Sequence, residues 1–383
     1  MHFDFDAPVD RTGTWSARWE KYAGRDVIPL WVADTDFRAP DCVIDAMRRR
    51  LEHGVLGYTV QPAELRDAIV ERMARLYGWR IAADWIVFLP GVVPGLHLAA
   101  RHLCPPGAHA LLPAPVYHHF KKALERAPRA HTEVPLTLSG GRWVFDEVRL
   151  AASVRLETKL LFLCNPQNPG GTIFTRAELE RLAAFALRHD LVVCSDEIHC
   201  DLLLDPGKPH VPIAALSPEM SRRTATLYAP NKTWNFPGAG AAWAIIEDPA
   251  LRAAFMTDDH ATIHDPSLFG YVAALAAFRD GGPWLDAQLQ YLRANRDRVE
   301  QWAASTPGLA MAHTESTYLA WIDCAGLGVA DPQALFLGHG VALSPGSQFG
   351  AADFVRLNFG TQRARLDAAL ERMSSAVSST RSR

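Results

Sequence analysis

Six short runs that are apolar at nearly every position constrain this chain most. They are WIVFL (85–89), HALLP (109–113), KLLFLC (159–164), LVVCSD (191–196), ATLYAP (225–230) and AAWAII (241–246). A half-exposed strand alternates apolar and polar residues, whereas a strand that is apolar throughout must be covered on both faces. Helical patterns at 92–103, 117–126 and 176–189 lie between several of the runs. Strands alternating with helices imply an α/β fold around a mostly parallel sheet. With 383 residues, 49% of them hydrophobic, the chain is long enough for two or three domains, or for one large domain with a smaller one appended.

The flanks read differently. VIPLWVADTDF (27–37) is a hydrophobic run broken by Asp34 and Asp36, more like an extended arm than a helix. Helices are expected at about 40–53 and 63–78, the second closed by Gly78. Beyond residue 265 come helical segments at 266–280 and about 283–305, then short strands at 317–322, 341–346 and 353–359, which suggests a smaller α+β unit. A last helix at about 362–376 leads into a Ser-rich tail expected to be disordered. Net charge is −3, so no basic field favours nucleic acid or an anionic membrane. No run approaches the roughly 20 apolar residues that span a bilayer. MHFDFDAPVDR lacks a signal-peptide core. Six scattered cysteines without C-x-x-C pairs fit a reducing cytoplasm.

Open α/β sheets bind ligands outside the carboxyl ends of their strands. Five strand ends supply polar or glycine residues to that rim: Gly91, Tyr117, Asn168, Asp196, and Tyr228 with Lys232. Lys232 lies in APNKTWNFPG, between Asn231 and Trp234 rather than in a charged run. A lysine so placed can link to an aldehyde and later, as a free amine, move a proton. Asp196 ends a buried strand and needs a cationic partner; a protonated pyridine nitrogen is one, and an N-cap or a buried ion pair would also satisfy it. Asn168 and Tyr228 could donate to a phenolate oxygen, although Asn168 alone reads as a turn residue in N-P-G-G. Tyr117 could lie flat on an aromatic ring or simply pack in the core. Together these types read as an enzyme holding pyridoxal phosphate on Lys232.

PGVVPGLHLA (90–99) is a glycine turn entering a helix, and the N–H groups of Val92 and Val93 there would face an anion such as a phosphate. Arg356, in DFVRLNF, is a charge within an apolar strand; it suits a substrate carboxylate or a structural salt bridge. His118, His119, His97, His102 and His199 lack ligand spacing with a carboxylate, so no metal is expected. His199 is the histidine that best suits a place beside the substrate.

The motifs LWVADTDF (30–37), HGVLGYT (53–59), PGVVPGLHLA (90–99), PAPVYHHF (113–120), NPQNPGG (165–171), SDEIHCDL (195–202), KTWNFPG (232–238), ESTYLAWID (315–323) and VRLNFG (355–360) cover nearly the whole chain. As a set they resemble the fold-type I enzymes of the class I/II aminotransferase type, and more narrowly their cystathionine β-lyase (carbon–sulfur lyase) subgroup. The resemblance implies a large cofactor-binding domain (46–280) around a seven-stranded sheet. It also implies a smaller α+β domain from the C-terminal part (281–383) and the N-terminal arm (1–45). By the same resemblance Lys232 carries the cofactor, Asp196 pairs with its ring nitrogen, Asn168 and Tyr228 hold its ring oxygen, and Tyr117 stacks on it. Arg356 would take the substrate α-carboxylate, with Trp31, Ala33 and Asp34 lining the substrate side. Tyr58 would reach the phosphate of a neighbouring subunit, which implies a homodimer with shared active sites.

Two departures stand out. Relatives often carry serines three residues and one residue before the lysine, where this chain has Ala229 and Asn231. Wider aminotransferases place an arginine eight residues after it, where this chain has Gly240. The phosphate should therefore lean on backbone N–H groups, Tyr58 and Asn231. The expected reaction is β-elimination from an amino acid with sulfur on its β-carbon. An aminotransferase sharing the early steps, or a regulatory protein that retains the cofactor, are the alternatives.

Overall fold

The apolar runs form strands in the computed structural model, which describes residues 3–257 and 263–381. A seventh strand, Ala130–Pro135, joins them at one edge. It escapes an apolar-run search because only Val134 within it is buried. The sheet runs, edge to edge, Ile86–Leu89, Ala242–Ile245, Thr224–Tyr228, Val192–Asp196, Thr158–Cys164, His109–Ala114 and Ala130–Pro135. All neighbours are parallel except Ala242–Ile245, which is antiparallel to both of its own. One face is covered by the helix starting at Val92 and the helix His119–Arg126. Gly95 lets the first of these sit close, since a Cβ there would stand 3.0 Å from Leu227 and Leu89 side chains. The other face packs under the helices Arg176–Arg188 and Ala63–Tyr77. Gly78 closes the latter in the left-handed conformation at φ 64°.

A four-stranded antiparallel sheet (Ala310–Met311, Leu319–Asp323, Phe354–Asn358, Ser344–Pro345) shares a separate core with the helices Gly282–Ser305 and Arg363–Arg381. The Ser-rich tail expected to be disordered is helical through Arg381. Composition misled there. The buried stripe Leu366, Ala369, Leu370, Met373, Ala376 and Val377 keeps helical spacing into the tail. The hydroxyls of Ser374, Ser375 and Ser378 donate back to carbonyls one turn earlier. All six cysteines are free thiols. Among the described residues no helix is long and apolar enough to cross a membrane, and no cluster of metal-binding side chains occurs.

The N-terminal arm pairs Ile28–Pro29 in parallel with Val341–Ala342. It then runs to the rim of the large sheet, held by a buried ionic clasp. Asp36 takes Arg18 at 3.2 Å, Arg11 at 3.0 Å and Arg365 at 3.1 Å, with Thr361 Oγ1 donating at 2.8 Å and Trp19 Nε1 at 3.1 Å. Burial alone would raise the pKa of this carboxyl; Arg18 and Arg365 instead pull it down to about 2. A folded-state value below the ordinary 3.8 stabilises the fold above pH 4 and loses that stabilisation as pH falls through 2. The displacement corresponds to about 2 kcal/mol. Asp36→Asn should lower unfolding free energy at pH 7 by about 3 kcal/mol, since it leaves buried arginines unpaired. Urea titrations at pH 7 and in acid should show the gap to wild type narrowing as pH approaches 2.

Candidate active site

Strand alternation decides which rim residues share a cavity. Along Val192–Asp196, the side chains of Val192 and Cys194 pack on the face under the Val92 helix, and Asp196 follows their parity. Val193 packs on the opposite face. Ala225 and Leu227 share the face of Asp196. Tyr228 is one residue out of step and packs on the other side, with Phe88 and Trp243. A cavity of about 330 Å³ opens at the carboxyl ends on the Asp196 face. It is lined by Lys232, Asp196, Asn168, Tyr117, Arg356, Trp31, Ala33, Asn231, Val92 and Val93, all expected there from sequence.

Lys232 sits on a loop that three segments hold in place. Trp234 Nε1 donates to Gly281 O at 2.9 Å, and Gln288 Nε2 donates to Thr233 O at 2.9 Å. Asn235 adopts φ 52°, a left-handed conformation that asparagine tolerates better than most residues. Its side chain accepts from Thr35 N at 2.9 Å and donates to Phe37 O at 2.7 Å, which ties the loop to the N-terminal arm. The arm in turn offers Ala33 O to Lys232 Nζ at 2.6 Å, and Tyr318 Oη donates to the same carbonyl at 3.0 Å. Burial, with help from Arg356 and against Asp34 and Asp196, lowers the Lys232 amine to about 8.

Asp196 is buried, and burial raises its carboxyl to about 7. Ile198 N donates to it at 3.0 Å. Among the described residues no cationic side chain pairs with it directly. Arg356 Nη1 donates to Asn168 Oδ1 at 3.0 Å, and its Nη2 donates to Trp31 O at 3.1 Å and Ser344 Oγ at 3.3 Å. With Oδ1 committed to Arg356, the amide nitrogen is the donor Asn168 has left. The Arg356 guanidinium lies 4.7 Å from the centroid of Phe349. No carboxylate pairs with it among the described residues, so the structural-salt-bridge alternative falls away.

These groups fit pyridoxal phosphate. A buried carboxyl lacking a cation suits a protonated ring nitrogen. A buried amine suits the aldehyde. At the anion end, the backbone turns at Gly91 into the helix beginning at Val92. Asn231 lines the same cavity. The departure at Gly240 has a steric cause: its φ is 62°, a Cβ there would stand 3.1 Å from Pro90 O, and Gly270 packs against its carbonyl. Ala229 is buried in the apolar core beside the cavity.

Three expectations need correction or a different setting. Tyr228 does not reach the cavity; its hydroxyl donates to Glu197 Oε2 at 2.6 Å, on the far side of the sheet, where His210 Nε2 also approaches at 2.7 Å. His199 occupies the cavity instead. It is buried, its Nδ1 has no partner, and burial followed by Lys232 and Arg356 depresses it to about 3, so the ring is neutral. The parity of Tyr228 relative to Leu227 was the signal available in sequence. Asp34 is not on the cavity wall, because its carboxylate turns to Arg11 at 2.6 Å and Arg18 at 3.6 Å. Tyr58 is fully exposed and does not line the cavity of its own chain.

The class I and II aminotransferase family model matches residues 25–373. Cystathionine β-lyase PatB of Bacillus subtilis is 35% identical, over 98% of this chain and 100% of its own. The crystal structure of OvoB is 48% identical with a TM-score of 0.97, over 98% of this chain and 100% of its own. Cystalysin from Treponema denticola, whose crystal structure contains pyridoxal 5'-phosphate, is 30% identical with a TM-score of 0.94, over 99% of this chain and 100% of its own. The chain belongs to the class I and II aminotransferase family, in the branch that includes the cystathionine β-lyase PatB.

Proposed function

We propose that the protein is a pyridoxal-phosphate-dependent carbon–sulfur β-lyase, cleaving L-cystathionine or related cysteine S-conjugates to a thiol, pyruvate and ammonia. The convergence of Lys232, Asp196 and Arg356 on one cavity carries the reading. Full-length kinship with PatB, a cystathionine β-lyase, supports the lyase over the aminotransferase.

Bound pyridoxal phosphate supplies an electron sink for charge developing at the substrate α-carbon. Arg356 receives the α-carboxylate through its guanidinium, exchanging part of its contact with Asn168 and Trp31 for a bidentate pair. Asp196 would hold the ring nitrogen in its protonated form. Asn168 and His199, which line the same cavity, would hold the ring oxygen, and Tyr117 would pack against the ring. Lys232, as a free amine, would accept the substrate α-proton at Nζ; its lowered proton affinity keeps a useful neutral fraction near pH 7. Trp31 and Ala33, on the arm, close the substrate side and exclude water.

Purified protein incubated with L-cystathionine and no keto acid should release pyruvate and thiol. Lys232→Ala should lower that rate at least on the order of a thousandfold and remove the borohydride-sensitive visible absorbance of the bound cofactor. Turnover that requires an added keto acid would assign the protein to the aminotransferases instead.

We further propose a homodimer in which Tyr58 completes the partner's phosphate site. Leu51, Val55, Leu56 and Val60 are exposed around it, an apolar stretch that a second copy would cover. Tyr58→Ala and Lys232→Ala chains should each be inactive alone. Mixed and reassorted, they should recover about a quarter of wild-type activity, because half the dimers then hold one site with both residues intact. No recovery on mixing would place Tyr58 outside the partner's site.

A further inference from the structure

Every polar side chain of the cavity except His118 and the exposed Gln348 has a partner or a place in the proposed chemistry. Lys232, Asp196, Asn168 and Arg356 serve the cofactor and the two charged groups of an amino acid. Ser344 Oγ is bonded to Trp31 O at 2.7 Å. His118 is left. It lines the cavity, yet its Nδ1 is buried without a hydrogen-bond partner.

The position of His118 is fixed by aromatic neighbours. Its ring lies 4.6 Å from Tyr117 and 4.5 Å from His119, and it meets Phe349 edge-on at 6.3 Å. Phe349 in turn lies under the guanidinium of Arg356. Burial, then His119, Lys122 and Arg356, lowers the imidazole to about 4, so it stays neutral at ordinary pH. A neutral imidazole offers one donor and one acceptor. With the substrate carboxylate on Arg356 and its amine at the cofactor aldehyde, Asp196 and the Gly91–Val93 turn would lie on the cofactor side, away from a β-substituent. Other polar and aromatic lining comes from Trp31 on the arm, His118 on the turn after His109–Ala114, and Gln348 on the small-sheet side, beside apolar residues such as Val32, Ile198 and Pro237.

We propose that His118 is a specificity-determining residue that hydrogen-bonds a polar group carried by the departing thiol fragment, so that the site selects S-substituents with hydrogen-bonding groups over plain alkyl chains. This rests on the carbon–sulfur lyase reading. It adds a recognition contact and no new bond-breaking step: the thiol still leaves from the β-carbon.

The test compares L-cystathionine, whose leaving fragment bears an amine and a carboxylate, with S-butyl-L-cysteine, whose fragment bears neither. His118→Ala should lower the ratio of kcat/KM for cystathionine over S-butyl-L-cysteine by about tenfold or more, the size expected for a buried hydrogen bond to a charged group. The loss should fall in KM. His118→Gln, which keeps a donor and an acceptor, should restore most of the ratio, whereas His118→Leu should not; this pair carries the comparison if the alanine variant fails to fold. An unchanged ratio, or an equal loss on both substrates in every variant, overturns the proposal. Wild-type cleavage of either substrate without a keto acid checks the lyase reading separately. Cleavage of neither removes both.

Discussion

Asp36 organises more of this molecule than any group that would touch substrate. It is buried, and it gathers Arg11, Arg18 and Arg365 around one carboxylate. Two of these arginines come from the first twenty residues, and the third comes from the last helix. A buried charge cluster of this kind adds little net stability over apolar packing, but it is intolerant of rearrangement. Its consequence is register. With Asp36 fixed, Thr35 and Phe37 meet Asn235, Ala33 O meets Lys232 Nζ, and Trp31 O meets Arg356. The chain's two terminal regions thus set the geometry of a cavity whose floor belongs to the large sheet.

The electrostatics of that cavity follow from its dryness. Burial moves the Lys232 amine down and the Asp196 carboxyl up, each toward its neutral form. His199 and His118 are neutral for the same reason. Arg356 too is lowered, to about 10, and stays charged. A site so arranged has one firm cation for a carboxylate and a set of groups whose charge depends on what binds. A cationic ring nitrogen beside Asp196 would restore that carboxylate's ionised form. The protein therefore holds its charge in reserve until a ligand supplies the missing partner.

Much of this was legible in sequence because burial on both faces leaves a strong signal. The six apolar runs became strands, and their carboxyl ends marked the rim from which Asp196, Asn168, Tyr117 and Lys232 reach the cavity. The seventh strand was hidden because Ala130–Pro135 is an edge, with one buried side chain. Tyr228 was misassigned because its strand is buried on both faces, so apolar character gave no parity; only counting from Leu227 separates the two sides. The Ser-rich end misled for the converse reason: polarity suggested disorder, while Ala376 and Val377 continued a buried stripe. Asp34 and Asp36 looked alike as charges in an apolar arm. Their ion pairs join residues far apart in the chain, and no local pattern announces such pairs.

The unusual surroundings of Lys232 have a packing cause. An arginine at position 240 would need a left-handed backbone angle that side chains disfavour, beside Pro90 O and under the helix that brings Gly270 against the Gly240 carbonyl. The strain lies in the backbone angle and the Pro90 contact, while the close helix approach is what requires glycine at 270. Ala229 is likewise committed to the core. Both positions are taken up by packing, so on the proposed reading the phosphate would be held by the Gly91 turn, the helix that follows it, Asn231 and a neighbouring subunit's Tyr58. The Gly95 contact seats that helix against Leu227, and the start of the same helix, Val92 and Val93, lines the cavity.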